Sequence, residues 1–241
     1  MIFDQSEFRI RCEWGLRGLT KLAPVSDVVI IVDVLSFTTS LDIAISREAV
    51  VFPYRETGEP AAAYAAAIGA EIASNERGTG FSLSPTSLQR LPRGYRLLLP
   101  SPNGARLCFS ADHPIVLAAC LRNASAIAQT AARLGGTVAV IPAGETWESG
   151  DLRPAFEDLL GAGAVIAALP GTKSPEAELA LAAFEHFRAN LSDSLYHSSS
   201  GKELISRGFA EDVTLAAQCN VSTHVPRLVN RAFIDSSLET A

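Results

Sequence analysis

"VVIIVDVLSFTTS", Val28 to Ser40, is the stretch whose reading decides the fold class. Its opening β-branched run is too uniformly apolar for a strand with one wet face. It suits a strand buried on both sides, as in a parallel sheet. Asp33 ends the run, and Ser36, Thr38, Thr39 and Ser40 crowd in behind it. A helix from Thr38 to Arg47 would set its free N–H groups and positive dipole end beside that carboxylate. A carboxylate at a strand end in low dielectric has to be hydrogen-bonded, paired or bound to a metal. Asp33 is therefore either a local cap, such as an Asx turn, or a metal ligand or nucleophile. An anion site beside a carboxylate repels itself unless a cation lies between them. That pattern points to Mg²⁺ bridging Asp33 and a phosphate.

Outward from this stretch, short strand patterns alternate with Ala-rich helical ones. "EFRIRCEW" alternates like a strand with one wet face, and "AVVFPY", "YRLLLP", "IVLAA" and "TVAVIPAG" read as further strands. Helical patterns lie between them, including "GEPAAAYAAAIGA" and "RNASAIAQTAARLG". Such alternation predicts a three-layer α/β/α fold with a mainly parallel mixed sheet. "RPAFEDLLGAGAVIAAL" and "SPEAELALAAFEHFRANL" read as long helices, and Gly201 to Asn220 as another helical pair, so the C-terminal portion is helix-rich. "RLVNRAFI" reads as a closing edge strand. No Pro- or Ser-rich linker divides residues 1–241, which are expected to form one domain. "LPGTKSP" is the softest boundary, and residues 171–225 read as a helical extension. Three strand ends, "VDVLSFTTS", "LPSPNGAR" and "IPAGETWESG", run into polar loops. In a parallel sheet these would emerge on one C-terminal edge, where open α/β folds bind ligands.

Composition narrows the function. Of 241 residues 48% are apolar, yet no apolar run approaches the roughly 18–20 residues that span a bilayer. "MIFDQSEFRI" lacks the basic start and apolar core of a signal peptide. A net charge of −6 without a basic block argues against a nucleic-acid partner. Cys12, Cys108, Cys120 and Cys219 are widely spaced, as for free thiols in a reducing cytoplasm.

Other residues carry chemistry only in combination. In "SPNGAR", Asn103-Gly104 is a turn dipeptide whose backbone can approach a ligand closely, and Arg106 can grip an oxyanion in bidentate fashion. The plainer alternative is a turn and a solvated arginine. Glu157 and Asp158 point about 100° apart on a helix, so one at most faces a metal squarely. With Pro154 as first helical residue, both would otherwise complement the helix dipole. The four histidines show no metal spacing, and "GxSxG" and a P-loop are absent. "HSSSGKE" reads as a helix start, and "GTG" at 78–80 lacks the rest of a dinucleotide fingerprint.

Taken together, these motifs resemble the 2-phosphosulfolactate phosphatase family over nearly the whole chain. Its "IDVLRATTT" is matched by "VDVLSFTTS", its "TTNGTR" by "SPNGAR", and its "NASA" by Asn123 to Ala126. Its "AG…ED…AG" is matched by Ala143-Gly144, Glu157-Asp158 and Ala162-Gly163, and its tail by Gly208, Asp212-Val213 and Pro226. The resemblance implies a three-layer α/β fold and Mg²⁺-dependent hydrolysis of the phosphate ester of a sulfonated lactate, a step of coenzyme M biosynthesis. Two departures stand out: Ser36 replaces the family's arginine and Ser82 its aspartate. Either the substrate differs, or neighbours such as Arg77 have taken over.

The expectation is a cytoplasmic Mg²⁺-dependent phosphatase acting on a small anionic phosphate ester, with a homo-oligomer left open. Metal would be held by Asp33 and by Glu157 or Asp158. Thr38, Thr39, Asn103, Gly104 and Asn123 would bind substrate, and Arg106 would neutralise the transferring phosphoryl group. Water or Asp33 attacks, and Asp212 is a possible supporting acid. The rivals are a non-catalytic anion- or metabolite-binding relative and a nucleotide-dependent α/β enzyme.

Overall fold

A computed structural model describes residues 2–55, 58–113 and 115–237. Its strands are β1 (Ile10–Cys12), β2 (Val28–Val32), β3 (Val50–Tyr54), β4 (Glu71–Ile72), β5 (Arg96–Pro100), β6 (Val116–Ala119), β7 (Val138–Pro142), β8 (Glu145–Thr146), β9 (Leu152–Arg153), β10 (Pro226–Val229) and β11 (Ala232–Asp235). The helices are α1 (Gly15–Leu22), α2 (Phe37–Ser46), α3 (Glu59–Ile68), α4 (Pro85–Leu88), α5 (Gly104–Ser110), α6 (Ala124–Leu134), α7 (Phe156–Ala168), α8 (Pro175–Phe187), α9 (Leu191–His197), α10 (Ser199–Ser206) and α11 (Ala210–Ala216). Nine strands form one sheet in the order β1-β7-β2-β6-β10-β11-β3-β5-β4, and β8 pairs only with β9. Most neighbours are parallel, as the alternating pattern predicts.

The apolar run Val28–Val32 is wholly buried, because β2 is covered on both faces. Val28, Ile30 and Val32 face a core shared with α6, α7 and α8, while Val29 and Ile31 face one shared with α2 and α5. The helical C-terminal stretch belongs to the first of these cores through Leu191, Leu195, Leu204 and Val213. Among the described residues no helix is long and apolar enough to cross a membrane. The four cysteines are free thiols, three of them buried.

Three expectations change. Arg11 is buried rather than wet, its guanidinium donating to the carbonyls of Phe8 and Val25. Helix α7 begins at Phe156, two residues past Pro154. "RLVNRAFI" is no edge strand. It is the β10–β11 hairpin, inserted mid-sheet between β6 and β3. Its two-residue turn places Asn230 and Arg231 at φ 50° and 67°, the geometry whose twist matches that of paired strands. Phe233 is then completely buried, edge-on to the Phe37 ring.

That hairpin has a topological consequence. The three antiparallel pairings in succession make β5 run opposite to β2, so their following loops do not share one edge of a parallel sheet. The loops meet nonetheless. β2 and β5 are five places apart in the sheet order, about 24 Å if the sheet were flat. Yet a Cβ on Gly104 would stand 2.8 Å from Asp33 Oδ2. The sheet must therefore curl around α2 and α5. Twist of about 20–25° per strand, accumulated over these steps, turns β5 well away from antiparallel to β2, so the two strand ends no longer lie on opposite edges.

Two glycines let α7 approach its neighbours. A Cβ at Gly161 would meet Val32 and Val34 at 2.7 and 2.6 Å, and one at Gly163 would collide with the Ala180 carbonyl of α8. Gly163→Ala should lower stability by about 1–3 kcal/mol, read as a lower urea midpoint at unchanged slope.

Candidate functional site

The site starts with the turn that follows β2. Thr38 Oγ1 donates to the Asp33 carbonyl at 2.7 Å and accepts from the Asp33 amide at 3.0 Å. Thr39 Oγ1 donates to the Val34 carbonyl at 2.7 Å. Both hydroxyls are fully buried and fasten the turn rather than face a ligand. Their effect is to aim the Asp33 carboxylate, whose Oδ1 accepts from the Phe37 amide at 3.2 Å. Gly104 approaches from the loop after β5. A side chain there would collide with the Phe37 ring, so only glycine brings its amide to the carboxylate. The close backbone approach expected of Gly104 is thus to Asp33.

Asp33 lines a cleft of about 250 Å³ together with Ser36, Arg77, Asn103, Glu145 and Arg207. Burial pushes its pKa up to about 6, and the charge of Glu157 adds to this. The Phe37 and Gly104 amides and Arg77 pull it back. Glu145, on the cleft wall, is pushed up to about 7 by burial and then by Asp33 and Glu157. Burial also raises Glu157, and raises Asp158 well above the carboxylate range, where the charges of Asp33 and Glu157 act too. Four acids therefore oppose one another's ionisation.

Glu157 and Asp158 divide their work as their angular separation predicts. Asp158 Oδ1 accepts from the Val34 amide at 2.7 Å and Oδ2 from the Gly144 amide at 2.8 Å, clamping the loops after β2 and β7 together. Glu157 is also buried, but its Oε2 has no hydrogen-bond partner. An orphaned carboxylate oxygen in a nest of acids is a natural cation ligand. Among the described residues, no three His, Cys, Asp or Glu side chains gather tightly enough to ligate one ion. Mg²⁺ does not need that many; it commonly takes one or two carboxylates and fills its octahedron with water and phosphate oxygens. Of the acids expected to hold it, Asp33 lines the cleft, while Glu157 and Asp158 lie buried behind the wall.

Cationic groups line the cleft together with Asp33 and Glu145. The Arg77 guanidinium, about nine-tenths buried, donates to Asp212 Oδ2 at 2.6 Å and to Ser36 Oγ at 2.7 Å. It thus reaches the position where the resemblance expects an arginine. Arg77 and Arg207 both lie over Phe209, at 5.8 and 5.9 Å from the ring centre. Asp212 also accepts from Ser84 Oγ at 2.6 Å and from the Thr86 amide at 3.1 Å, locking the 77–86 segment to α11. Ser82 is buried and lines neither this cleft nor its neighbour.

Not every candidate reaches the cleft. Asn123 is buried, accepting from the Cys120 amide at 2.9 Å, with its amide nitrogen turned to the Ala118 and His224 carbonyls. Arg106 is exposed and opens into an adjoining cleft. Asn103 stands between the two, donating from Nδ2 to Glu145 Oε2 at 2.8 Å. Glu145, Ser200, Glu203 and Arg207 line the cleft without having been singled out by the sequence patterns. Glu145 lies in the polar "IPAGETWESG" loop, and Ser200 and Glu203 lie in "HSSSGKE", read as a helix start; Arg207 carried no local signal. "HSSSGKE" is the helix start it reads as, with Ser198 Oγ capping the Gly201 amide at 3.0 Å.

Fold and site together define an α/β protein with an acid-rich, arginine-flanked cleft at the meeting of strand-end loops. The family model for 2-phosphosulpholactate phosphatase matches residues 17–231, and the chain belongs to that family. A 2-phosphosulfolactate phosphatase of Methanothermobacter thermautotrophicus is 32% identical over 206 residues, 83% of this chain and 86% of the relative. Probable 2-phosphosulfolactate phosphatases of Gloeobacter violaceus and Pseudothermotoga lettingae are each 28% identical, over 83% and 88% of this chain and 88% and 94% of theirs.

The raised acids carry a stability prediction. A carboxyl whose folded pKa exceeds its unfolded value stabilises the fold at low pH, and that contribution is lost as pH rises through the folded value. For Asp33 the window runs from 3.8 to about 6, and for Glu145 from 4.5 to about 7. Metal-free protein should lose stability across it. Asp33→Asn should raise the melting temperature at about pH 7.5 and leave it nearly unchanged at about pH 4, measured by thermal melts in EDTA.

Proposed function

We propose that this protein is a phosphoric monoester hydrolase acting on 2-phosphosulfolactate or a close relative, with Mg²⁺ as its cofactor. The observation that carries the reading is the opposition within one cleft of Asp33 and Glu145 to Arg77 and Arg207. Phosphate monoesters are dianions near neutral pH, and phosphoryl transfer is accelerated chiefly by positioning and by neutralising charge on the transferring group. Family membership and the names of the relatives support the same reaction and substrate class.

Asp33 would hold the metal at the cleft, and Glu157 would offer its unpartnered Oε2. Asp158 is better suited to shaping the loops, since both its oxygens already accept from amides. When bound, Mg²⁺ would offset the repulsion among the acids and polarise the phosphoryl oxygens. Arg77, fixed by Asp212, and Arg207 would meet the remaining phosphoryl oxygens. Hydrolysis breaks the bond from phosphorus to the ester oxygen. The departing alcohol takes up a proton, and the new oxygen on phosphorus comes ultimately from water, whether water attacks directly or through a phosphorylated Asp33.

Phosphate release from 2-phosphosulfolactate should require Mg²⁺ and stop in EDTA. Asp33→Asn should lower kcat by about a thousandfold or more. Arg77→Ala should raise KM by about tenfold or more. Turnover indifferent to EDTA would remove the metal from the reaction. Tight substrate binding without turnover would make the protein a binding relative instead.

A further inference from the structure

Arg106 was expected on the phosphoryl group, yet it does not line the Asp33 cleft. It opens into a second cleft of about 460 Å³, with Trp14, Arg17, Asn103, Gly144 and Glu145. Asn103 and Glu145 line both clefts, so the partition between them includes a single side-chain hydrogen bond of 2.8 Å. We infer that this second cleft is the subsite for a second oxyanion of the substrate, a sulfonate or carboxylate, gripped by Arg17 and Arg106. The inference deepens the phosphatase reading and rests on it for the substrate class.

The reasoning starts from which cations are available. In the Asp33 cleft, Arg77 is committed to Asp212 and Ser36, and Arg207 has Glu203 at 3.4 Å. That wall meets one charged group, and Asp33, Glu145 and Glu203 make the rest of the cleft hostile to another anion. Arg17 projects from α1 and Arg106 from α5, helices packed against each other. Neither guanidinium forms a hydrogen bond or ion pair with any described residue. The second cleft sets two acids, Asp151 and Glu145, against its two unpaired arginines, whereas the Asp33 cleft sets Asp33, Glu145 and Glu203 against arginines that are already paired. Two unpaired guanidiniums present planar donor forks suited to carboxylate or sulfonate oxygens. Asn103 and Glu145 line both clefts, so an acid whose phosphate lies beside Asp33 would direct its second charged group past that pair.

The test is calorimetric binding of three probes in Mg²⁺: sulfolactate, lactate and inorganic phosphate. It compares the natural protein with Arg17→Ala, Arg106→Ala and the double variant. Both residues are exposed, so the variants should melt with the natural protein. Sulfolactate affinity should fall about tenfold in each single variant and further in the double, with phosphate affinity within about twofold of the natural value. Lactate identifies the seated group: an equal loss assigns the subsite to the carboxylate, and no loss assigns it to the sulfonate. The inference is overturned if the natural protein binds no sulfolactate, if sulfolactate binding survives the double variant, or if phosphate binding falls in parallel. Hydrolysis is assayed separately on the natural protein. Arginine-dependent sulfolactate binding without phosphate release would sink the phosphatase reading and leave the subsite standing.

Discussion

Burying the Asp33 carboxylate among Glu145, Glu157 and Asp158 is costly, and much of the surrounding architecture serves to hold it there. Its position is set by two backbone amides from different parts of the chain, Phe37 at the head of α2 and Gly104 at the head of α5. The Phe37 ring fills the space a side chain at residue 104 would need, and Phe233 of the inserted hairpin packs on that ring. One acid thus depends on the β2 turn, on the curl of the sheet and on the chain's last strands. The arrangement is strained electrostatically in a way that a divalent cation would relieve.

The Asp158 clamp explains why the loops after β2 and β7 keep a common geometry. A single carboxylate takes an amide from each, so neither can shift without unpairing a buried acceptor. Arg77 and Asp212 do comparable work on the opposite wall. A buried ion pair offers little net stability over apolar packing, but breaking it is expensive, which makes it a good device for fixing geometry. Here it ties the 77–86 segment to α11 and leaves the guanidinium facing the cleft. The helical C-terminal stretch is accordingly more than a scaffold extension. It supplies Ser200, Glu203, Leu204 and Arg207 to the cleft wall.

What the sequence determined by itself is local and periodic. An unbroken β-branched run suits a doubly covered strand, and the alternation of such runs with Ala-rich helical patterns specified layered α/β architecture. The acid at the end of that run, and the neighbouring pair on α7 of which one oxygen stays unpartnered, were legible because charge in such places demands an explanation. The motifs also carried the family. What only the tertiary structure decided depends on contacts between residues far apart in the chain. Strand order, and the hairpin that reverses β5, follow from packing rather than periodicity. So does the spending of the Thr38, Thr39 and Asn123 hydrogen bonds on nearby backbone, since a polar side chain reads the same in sequence whether it meets a carbonyl or a ligand. The same holds for the wall that parts Arg106 from Asp33: Asn103 and Glu145 are 42 residues apart and become neighbours only when the sheet curls.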